Sequence, residues 1–408
     1  MNVLVLNCGS SSIKYQLLSM SGDSKDVLAK GIVERVGLPE GFLTHKAAGK
    51  DVFKLNRAFP DHVDGINAIL DALTDTQHGV LTDIHQINAV GHRVAHGGEY
   101  FSHSILIDEP TKSKIEKCSE LAPLHNPANL KGIVSMEKLL PKTPQVAVFD
   151  TSFHHTVPEI AYLYGVPYEY YQKYKIRRYG FHGTSHKFVA EKACLLAGLD
   201  INNSKIVTCH MGNGVSVTAI KNGQSVDTSM GFTPLEGSIM GTRSGDIDAG
   251  IVTYLQEKRN MSATEINSFL NKNCGLFGIS GVSSDMRDLW IKYEKENNQR
   301  AKLAIDIFIY RIAKYIGSYA VAMKGLDMVV YTGGIGENDW GVRYGISEYL
   351  GFLGAEIDKS VNDNLHTDKV ISTPKSKIKL VLAETDEELV IAMDTVNIVN
   401  KKNGELKK

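Results

Sequence analysis

The sequence predicts an α/β protein of two similar halves, and three observations carry that expectation. Residues 3–33 read strand, Gly/Ser turn, strand, Gly/Asp turn, strand. Residues 205–231 repeat the pattern, with His-Met-Gly-Asn-Gly as the first turn and Lys-Asn-Gly-Gln as a hairpin turn. A third glycine turn is expected at Thr-Gly-Gly-Ile-Gly, 332–336, where another apolar strand ends. With 408 residues and 43% hydrophobic content, the chain can bury a large core and suits two domains better than one. Two unrelated hairpins can look alike by chance, but both first turns here have a composition that suits phosphate.

The first turn, Asn-Cys-Gly-Ser-Ser-Ser at 7–12, sets the chemical theme. Glycine and short hydroxyl side chains let backbone N–H groups approach an anion, and Lys14 adds a positive charge beside them. Further along, polar clusters fall where coil is expected. Residues 91–99 carry Arg93 and His96 before a double glycine, and 122–127 place His125 between prolines. An apolar strand ends at Asp150, residues 177–186 hold Arg177, Arg178, His182 and His186, and Arg243 lies among glycines and acids in 231–248. Residues 304–323 form a helical apolar stretch interrupted by Arg311 and Lys314, which reads as a core helix and not a membrane span.

Each cluster also has a bland reading. A single loop histidine is more often structural than catalytic. Asp150 could cap a helix, because Thr151 and Ser152 follow it. His182 and His186, four residues apart, could ligate a metal from one helix face, but no HExxH motif supplies the rest of such a site.

Composition narrows the partners. The 45 basic residues balance 46 acidic ones, so neither nucleic acid nor an anionic membrane surface is expected, and any anion handled is small. Cys8, Cys118, Cys194, Cys209 and Cys274 form no CxxC pair, which fits a reducing compartment, and Cys209 reads as plain core. The chain opens directly on a strand without a secretory pattern, so a soluble, cytoplasmic protein is expected. Neither GxxxxGK[ST] nor a strand-GxGxxG-helix unit occurs, which leaves P-loop NTPases and Rossmann dehydrogenases unsupported. Glycine turns with loop arginines, loop histidines and strand-end carboxylates are what phosphoryl transfer requires. Its transition state is charge-rich, so catalysis consists mostly of positioning and of cations aimed at oxygens.

Eight segments in this order, NCGSSSIK, HRVAHGGE, FDTSFH, RRYGFHGTSH, HMGNGVS, TSMGFTPLEG, GTRSGDID and GGIGEN, resemble the acetate kinases over nearly the whole chain. That family lies within the acetate and sugar kinase, Hsp70 and actin superfamily, and propionate and butyrate kinases share much of the pattern. The resemblance implies two duplicated actin-like (ribonuclease H-like) domains with an interdomain active-site cleft. Residues 1–150 plus 386–408 would carry the acyl and phosphate site, and 151–385 the nucleotide site and the dimer interface of a homodimer. It implies a phosphotransferase that moves a phosphoryl group reversibly between ATP and acetate, with Mg2+, or Mn2+ in its place, as the metal.

Residue by residue, the resemblance implies that Asn7 and Glu387 take part in the metal site and that Lys14, Ser10 and Ser12 line the phosphate turn. His210, Met211, Gly212, Asn213 and Gly214 would hold ATP. So would Asp285, Met286 and Arg287, and Gly334, Ile335, Gly336, Glu337 and Asn338, the last two groups around the adenosine. Arg93 would grip the carboxylate, His182 and Arg243 would stabilise the transition state, and His125 would sit beside them. Asp150 is the implied acid/base residue. Acetate arrives already deprotonated, however, so orienting Arg93 is an equally good role for it.

Two departures stand out. Ala95 replaces a valine usual in the family, in an acyl pocket that the resemblance completes with Leu124, Phe181 and Pro234. Loss of two methyl-sized groups leaves room for propionate unless neighbours fill the space. Glu384 stands where proline is common, which leaves the metal carboxylate open between Glu384, Glu387 and Glu388. The competing readings are a propionate kinase and, from a different class, an actin- or Hsp70-like ATPase switch. The switch has no need of a second anion site built from Arg93, His125, His182 and Arg243.

Overall fold

The computed structural model describes residues 1–21, 24–363 and 366–405. The expected Gly/Asp turn at Gly22 and Asp23 lies outside the described residues. Contacts divide the chain into two units, Met1–Ser152 with Asp386–Lys408, and Phe153–Thr385.

The first unit contains β1 (Asn2–Cys8), β2 (Ser12–Ser21), β3 (Ser24–Glu34), β4 (Gly41–Ala47), β5 (Phe53–Arg57), β6 (Ala89–Val94), β7 (Ile105–Leu106) and β8 (Gln145–Phe149). They form one sheet in the order β5-β4-β3-β2-β1-β6-β8-β7. β1 runs antiparallel to β2 and parallel to β6, and β6 runs parallel to β8. A strand covered on both faces reads as a nearly continuous apolar run, as Val3–Leu6 of β1 does. Its Leu4, Leu6 and Cys8 pack with Ile66, Ile69 and Leu73 of helix His62–Thr74 and with Met136 of helix Asn126–Leu139. Its Val3 and Val5 join Ile391, Ala392 and Val399 of the C-terminal helix Glu387–Glu405. That helix approaches so closely that a Cβ on Gly91 of β6 would lie 2.5 Å from Thr395 Oγ1 and 2.6 Å from Ile391 Cγ2.

The second unit contains β9 (Lys205–Met211), β10 (Val215–Lys221), β11 (Gln224–Thr228), β12 (Met328–Thr332), β13 (Lys369–Val370) and β14 (Lys379–Leu382), in the order β11-β10-β9-β12-β14-β13. β9 is antiparallel to β10 and parallel to β12, which is parallel to β14. The apolar stretch at 304–323 forms most of helix Gln299–Met323, whose Ile305, Phe308, Ile312 and Ile316 pack with Val207, Cys209 and Met211 of β9. On the other face Ile206 joins Val189 and Ala193 of helix Gly183–Ala197. The Lys-Asn-Gly-Gln turn has Asn222 and Gly223 at φ 54° and 77°, the left-handed pair that a two-residue hairpin demands.

Each unit is therefore α/β, and each holds the same five-strand core: β3-β2-β1-β6-β8 in the first and β11-β10-β9-β12-β14 in the second, with matching strand senses. This is the actin-like, duplicated arrangement. Among the described residues no helix is long and apolar enough to cross a membrane, and the five cysteines are free.

Candidate active site

In the first unit the polar residues gather where β1 turns into β2 and where β6 and β8 end. Gly9 N–H donates to Ser12 O at 2.8 Å, closing a tight turn that leaves Ser10 exposed and Ser12 half-buried. Asn7 and Lys14 are cross-strand partners in this hairpin. Their side chains share a small cavity of about 20 Å³ with Tyr15, Arg93, Glu387 and Glu388.

Arg93 and Asp150 are paired across the parallel strand ends. The guanidinium donates to Asp150 through Nε at 3.0 Å and also through Nη2, and its Nε lies 3.7 Å from Glu387 Oε2. Burial opposes the charge on Arg93, but Asp150 and Glu387 outweigh it and raise its pKa. Burial pushes the Asp150 carboxyl up to about 6, against the lowering pull of Arg93, so the pair is ionic at neutral pH. Asp150 does not cap a helix: both its oxygens face Arg93, and the following 3₁₀ turn begins at Ser152.

Asn7, Glu387 and Glu388 offer amide and carboxylate oxygens to the cavity, the donor set a hard divalent cation prefers. Among the described residues no group of three or more His, Cys, Asp or Glu is placed to hold a metal ion. Glu384 belongs to the other unit, where its backbone N–H donates to Asp368 and its carbonyl accepts from Lys192.

Two residues that sequence reasoning missed organise this region. Asn129 Oδ1 accepts from the Ala95 N–H at 3.0 Å while its Nδ2 donates to Cys8 O at 2.7 Å. Asn126 accepts from the His96 N–H at 3.1 Å and donates to His96 O at 2.9 Å. Helix Asn126–Leu139 thereby fixes both the loop after β6 and the end of β1 at the glycine turn. His125 occupies the N-cap position of that helix and is exposed. Ala95 is buried and Leu124 exposed in this unit, whereas Phe181 and Pro234 belong to the other.

In the second unit the β9–β10 turn is bare glycine and asparagine, with Gly212 N–H donating to Gly214 O at 3.0 Å. A Cβ on Gly214 would lie 3.5 Å from His182 Nε2 and 3.4 Å from Arg243 Nη1, so both groups flank this turn. His182 takes a left-handed backbone, φ 56°, at the start of helix Gly183–Ala197, an uncommon conformation for a non-glycine residue that recurs at functional sites. Its ring stacks on His210 at 4.2 Å, and Nδ1 lies 2.8 Å from Ser216 Oγ. Arg243 donates to Pro234 O at 3.0 Å and has no ion-pair partner among the described residues. Burial lowers its pKa. An arginine that gives up water without gaining a carboxylate is placed for a ligand anion.

The other singled-out arginines and histidines have structural partners. Arg178 donates to Glu236 and to the carbonyls of Thr228 and Ser229, and Arg177 stacks on Tyr162. Both ring nitrogens of His186 are hydrogen-bonded to hydroxyls, which leaves no lone pair for a metal.

A cavity of about 680 Å³ opens beside the glycine turn, lined by Gly212, Asn213, Asp285, Met286, Arg287, Gly334, Ile335 and Asn338. Both tryptophans of the chain, Trp290 and Trp340, also line it. Their scarcity was the only sequence signal available. Trp290 Nε1–H donates to Asp339 at 2.7 Å, which fixes the indole as a wall. Residues 333–338 form a short helix and not a turn. Gly333 starts it at φ 76°, where a Cβ would come within 2.9 Å of the Met211 backbone. Of the residues expected around ATP, His210, Met211, Gly214, Gly336 and Glu337 do not line the cavity. One Glu337 oxygen accepts from Gly333 N–H, Thr332 Oγ1 and Thr385 N–H, and Met211 is fully buried in the core.

Comparison with known proteins places this geometry in context. The model of the acetokinase family matches residues 2–393. The acetate kinase of Lachnoclostridium phytofermentans is 52% identical over 399 residues, covering 98% of this chain and all of that one. Among solved structures, Porphyromonas gingivalis acetate kinase superposes with a TM-score of 0.94 at 48% identity, covering 98% of this chain and 99% of the other. A propionate kinase from Francisella tularensis superposes with a TM-score of 0.89 at 42% identity, covering 97% and 99%.

Proposed function

The chain belongs to the acetokinase family, and from that premise we propose that it is a carboxylate kinase acting on acetate. It moves the γ-phosphoryl group of ATP to acetate reversibly, giving acetyl phosphate and ADP. The observation that carries this reading is Arg243, half-buried without a carboxylate partner among the described residues and flanking Gly214 together with His182, beside a cavity large enough for a nucleotide.

In this reading Arg93 binds the acceptor carboxylate and Asp150 holds the guanidinium in orientation. Acetate needs no base, so the in-line step consists of a carboxylate oxygen forming a bond to phosphorus while the bond to the bridging oxygen of ADP breaks. Arg243 and His182 donate to the equatorial oxygens as negative charge shifts among them. His125 lies in the same role set by family analogy, and Lys14, Ser10 and Ser12 face phosphate. The glycine turn at 212–214 carries the nucleotide phosphates, and residues 285–287 with Gly334, Ile335 and Asn338 surround the adenosine. Asn7 with Glu387 would hold Mg2+, which when bound neutralises phosphate charge. The same family reading extends to a cytoplasmic homodimer.

Propionate is the second acceptor, supported by Ala95 and by the 42% identity to a propionate kinase. Hydroxamate formation from acetate, ATP, Mg2+ and hydroxylamine tests the whole proposal, because it requires an acyl phosphate. ATP hydrolysis without hydroxamate would instead indicate an ATPase switch.

A further inference from the structure

Behind His182 lies a buried chain of hydrogen bonds that the reaction scheme does not use. Ser216 Oγ sits 2.8 Å from His182 Nδ1 and 2.6 Å from His186 Nε2, and His186 Nδ1 sits 2.7 Å from Thr208 Oγ1. His186, Ser216 and Thr208 are fully buried. Burial first, then the neighbouring His154 and His210, lowers the His186 pKa well below its ordinary value, so this ring is neutral and carries one N–H.

That proton count leaves two arrangements. Ser216 and Thr208 have one O–H each, and both rings donating to Ser216 would leave its buried O–H without an acceptor among the described residues, so the three links point the same way along the chain. In one arrangement Thr208 donates to His186 Nδ1, His186 Nε2–H donates to Ser216, and Ser216 donates to His182 Nδ1. His182 then carries its proton on Nε2. In the reverse arrangement His182 donates from Nδ1, and its neutral ring turns a lone pair toward the site. Nε2 is the nitrogen beside Gly214 and Arg243, where an oxyanion repels a lone pair and attracts an N–H.

We propose that Thr208, His186 and Ser216 are positioning residues forming a one-way relay that holds neutral His182 with its proton on Nε2, as a donor to the transferred phosphoryl group. This rests on the phosphoryl-transfer reading above. The relay lets His182 donate without first taking up a proton from solution. The groups facing its ring already include the cationic Arg243, together with His210 stacked at 4.2 Å and His186 behind Ser216, and His154 lies 5.8 Å from His186.

The test compares kcat against pH for the wild type, Ser216→Ala and Ser216→Thr, each variant expressed as a ratio to wild type at the same pH. Without the hydroxyl, His182 is a donor at Nε2 dependably only as the imidazolium. Ser216→Ala should therefore lose on the order of ten- to a hundredfold at about pH 8.5 and much less at about pH 6. Ser216→Thr, which keeps the hydroxyl, should restore the wild-type profile. An equal loss at both pH values would overturn the relay. Should Ser216→Ala fold poorly, nitrogen NMR of imidazole-labelled wild type with bound sulfate decides the matter, with the His182 signals assigned by their loss in His182→Gln. A protonated Nε2 supports the relay and a protonated Nδ1 overturns it. Absence of acyl phosphate from the wild type would instead count against the function, while the sulfate spectrum would still read the relay.

Discussion

The two units share a five-strand core and differ in how each holds its arginine. In the first, Arg93 reaches the strand ends already clamped by Asp150 and accompanied by Glu387, and its charge is compensated before any ligand arrives. In the second, the Arg243 side chain is anchored, among the described residues, by a carbonyl and a thioether, and burial works against its charge. One scaffold therefore yields an oriented cation and an unneutralised one. The first suits a monoanionic carboxylate that must be placed, and the second suits a group whose charge grows during reaction. The turns follow the same division. Ser10, Ser12 and Lys14 decorate the first, whereas Gly212 and Gly214 strip the second down so that His182 and Arg243 can come close.

The sharpest way to break this comparison is Arg243→Ala. Loss of a donor aimed at transition-state charge should reduce kcat by on the order of a thousandfold. Stability should hardly fall, because no ion pair is lost and a desolvated charge is removed. Equal loss of melting temperature and activity would mean that Arg243 is structural. Arg93→Ala should behave oppositely in the melt, because it leaves the buried Asp150 without its partner.

A smaller effect is expected at Asp150. Its carboxyl is raised to about 6, so it is ionised at neutral pH and takes up a proton as pH falls through that value. The clamp on Arg93 then loosens, and wild-type kcat/KM for acetate should decline on the acid side. Asp150→Asn should show a kcat/KM roughly a hundredfold lower, without that acid limb. Complete inactivity of the Asn variant at every pH, with Arg93 still ordered, would point to an acid/base role instead.

What was legible in the sequence follows from how far apart the partners lie along the chain. The repeat, the hairpin at Asn222–Gly223 and the core helix are local patterns, and each appears as a structural element. The glycine turns were legible because few residue types permit such close approaches. Asn126 and Asn129 were not, because their partners lie up to 121 positions away and asparagine at a helix start has a commoner use as a cap. The Arg93–Asp150 pair was anticipated only as one of two roles for that carboxylate. The coil expected through His186 was wrong because Gly183 begins a helix, which turns His186 inward to Ser216 and Thr208.

The finest distinction concerns what the oriented arginine in the first unit presents to the acceptor's tail. Ala95 is 8% exposed, and its N–H is fixed by Asn129 Oδ1, so the backbone cannot easily shift to fill space left by its small side chain. Ala95→Val should therefore lower kcat/KM for propionate relative to acetate by about tenfold, within the 1 to 3 kcal/mol that one methylene discriminates. Acetate turnover should change little, since the shorter chain does not reach the added methyls. Asn129→Ala would release the loop, so the selectivity of Ala95→Val should blur when the two are combined, which makes the pair non-additive. If the propionate-to-acetate ratio is unchanged in Ala95→Val, neighbouring side chains already fill the space, and the acyl limit lies with other residues.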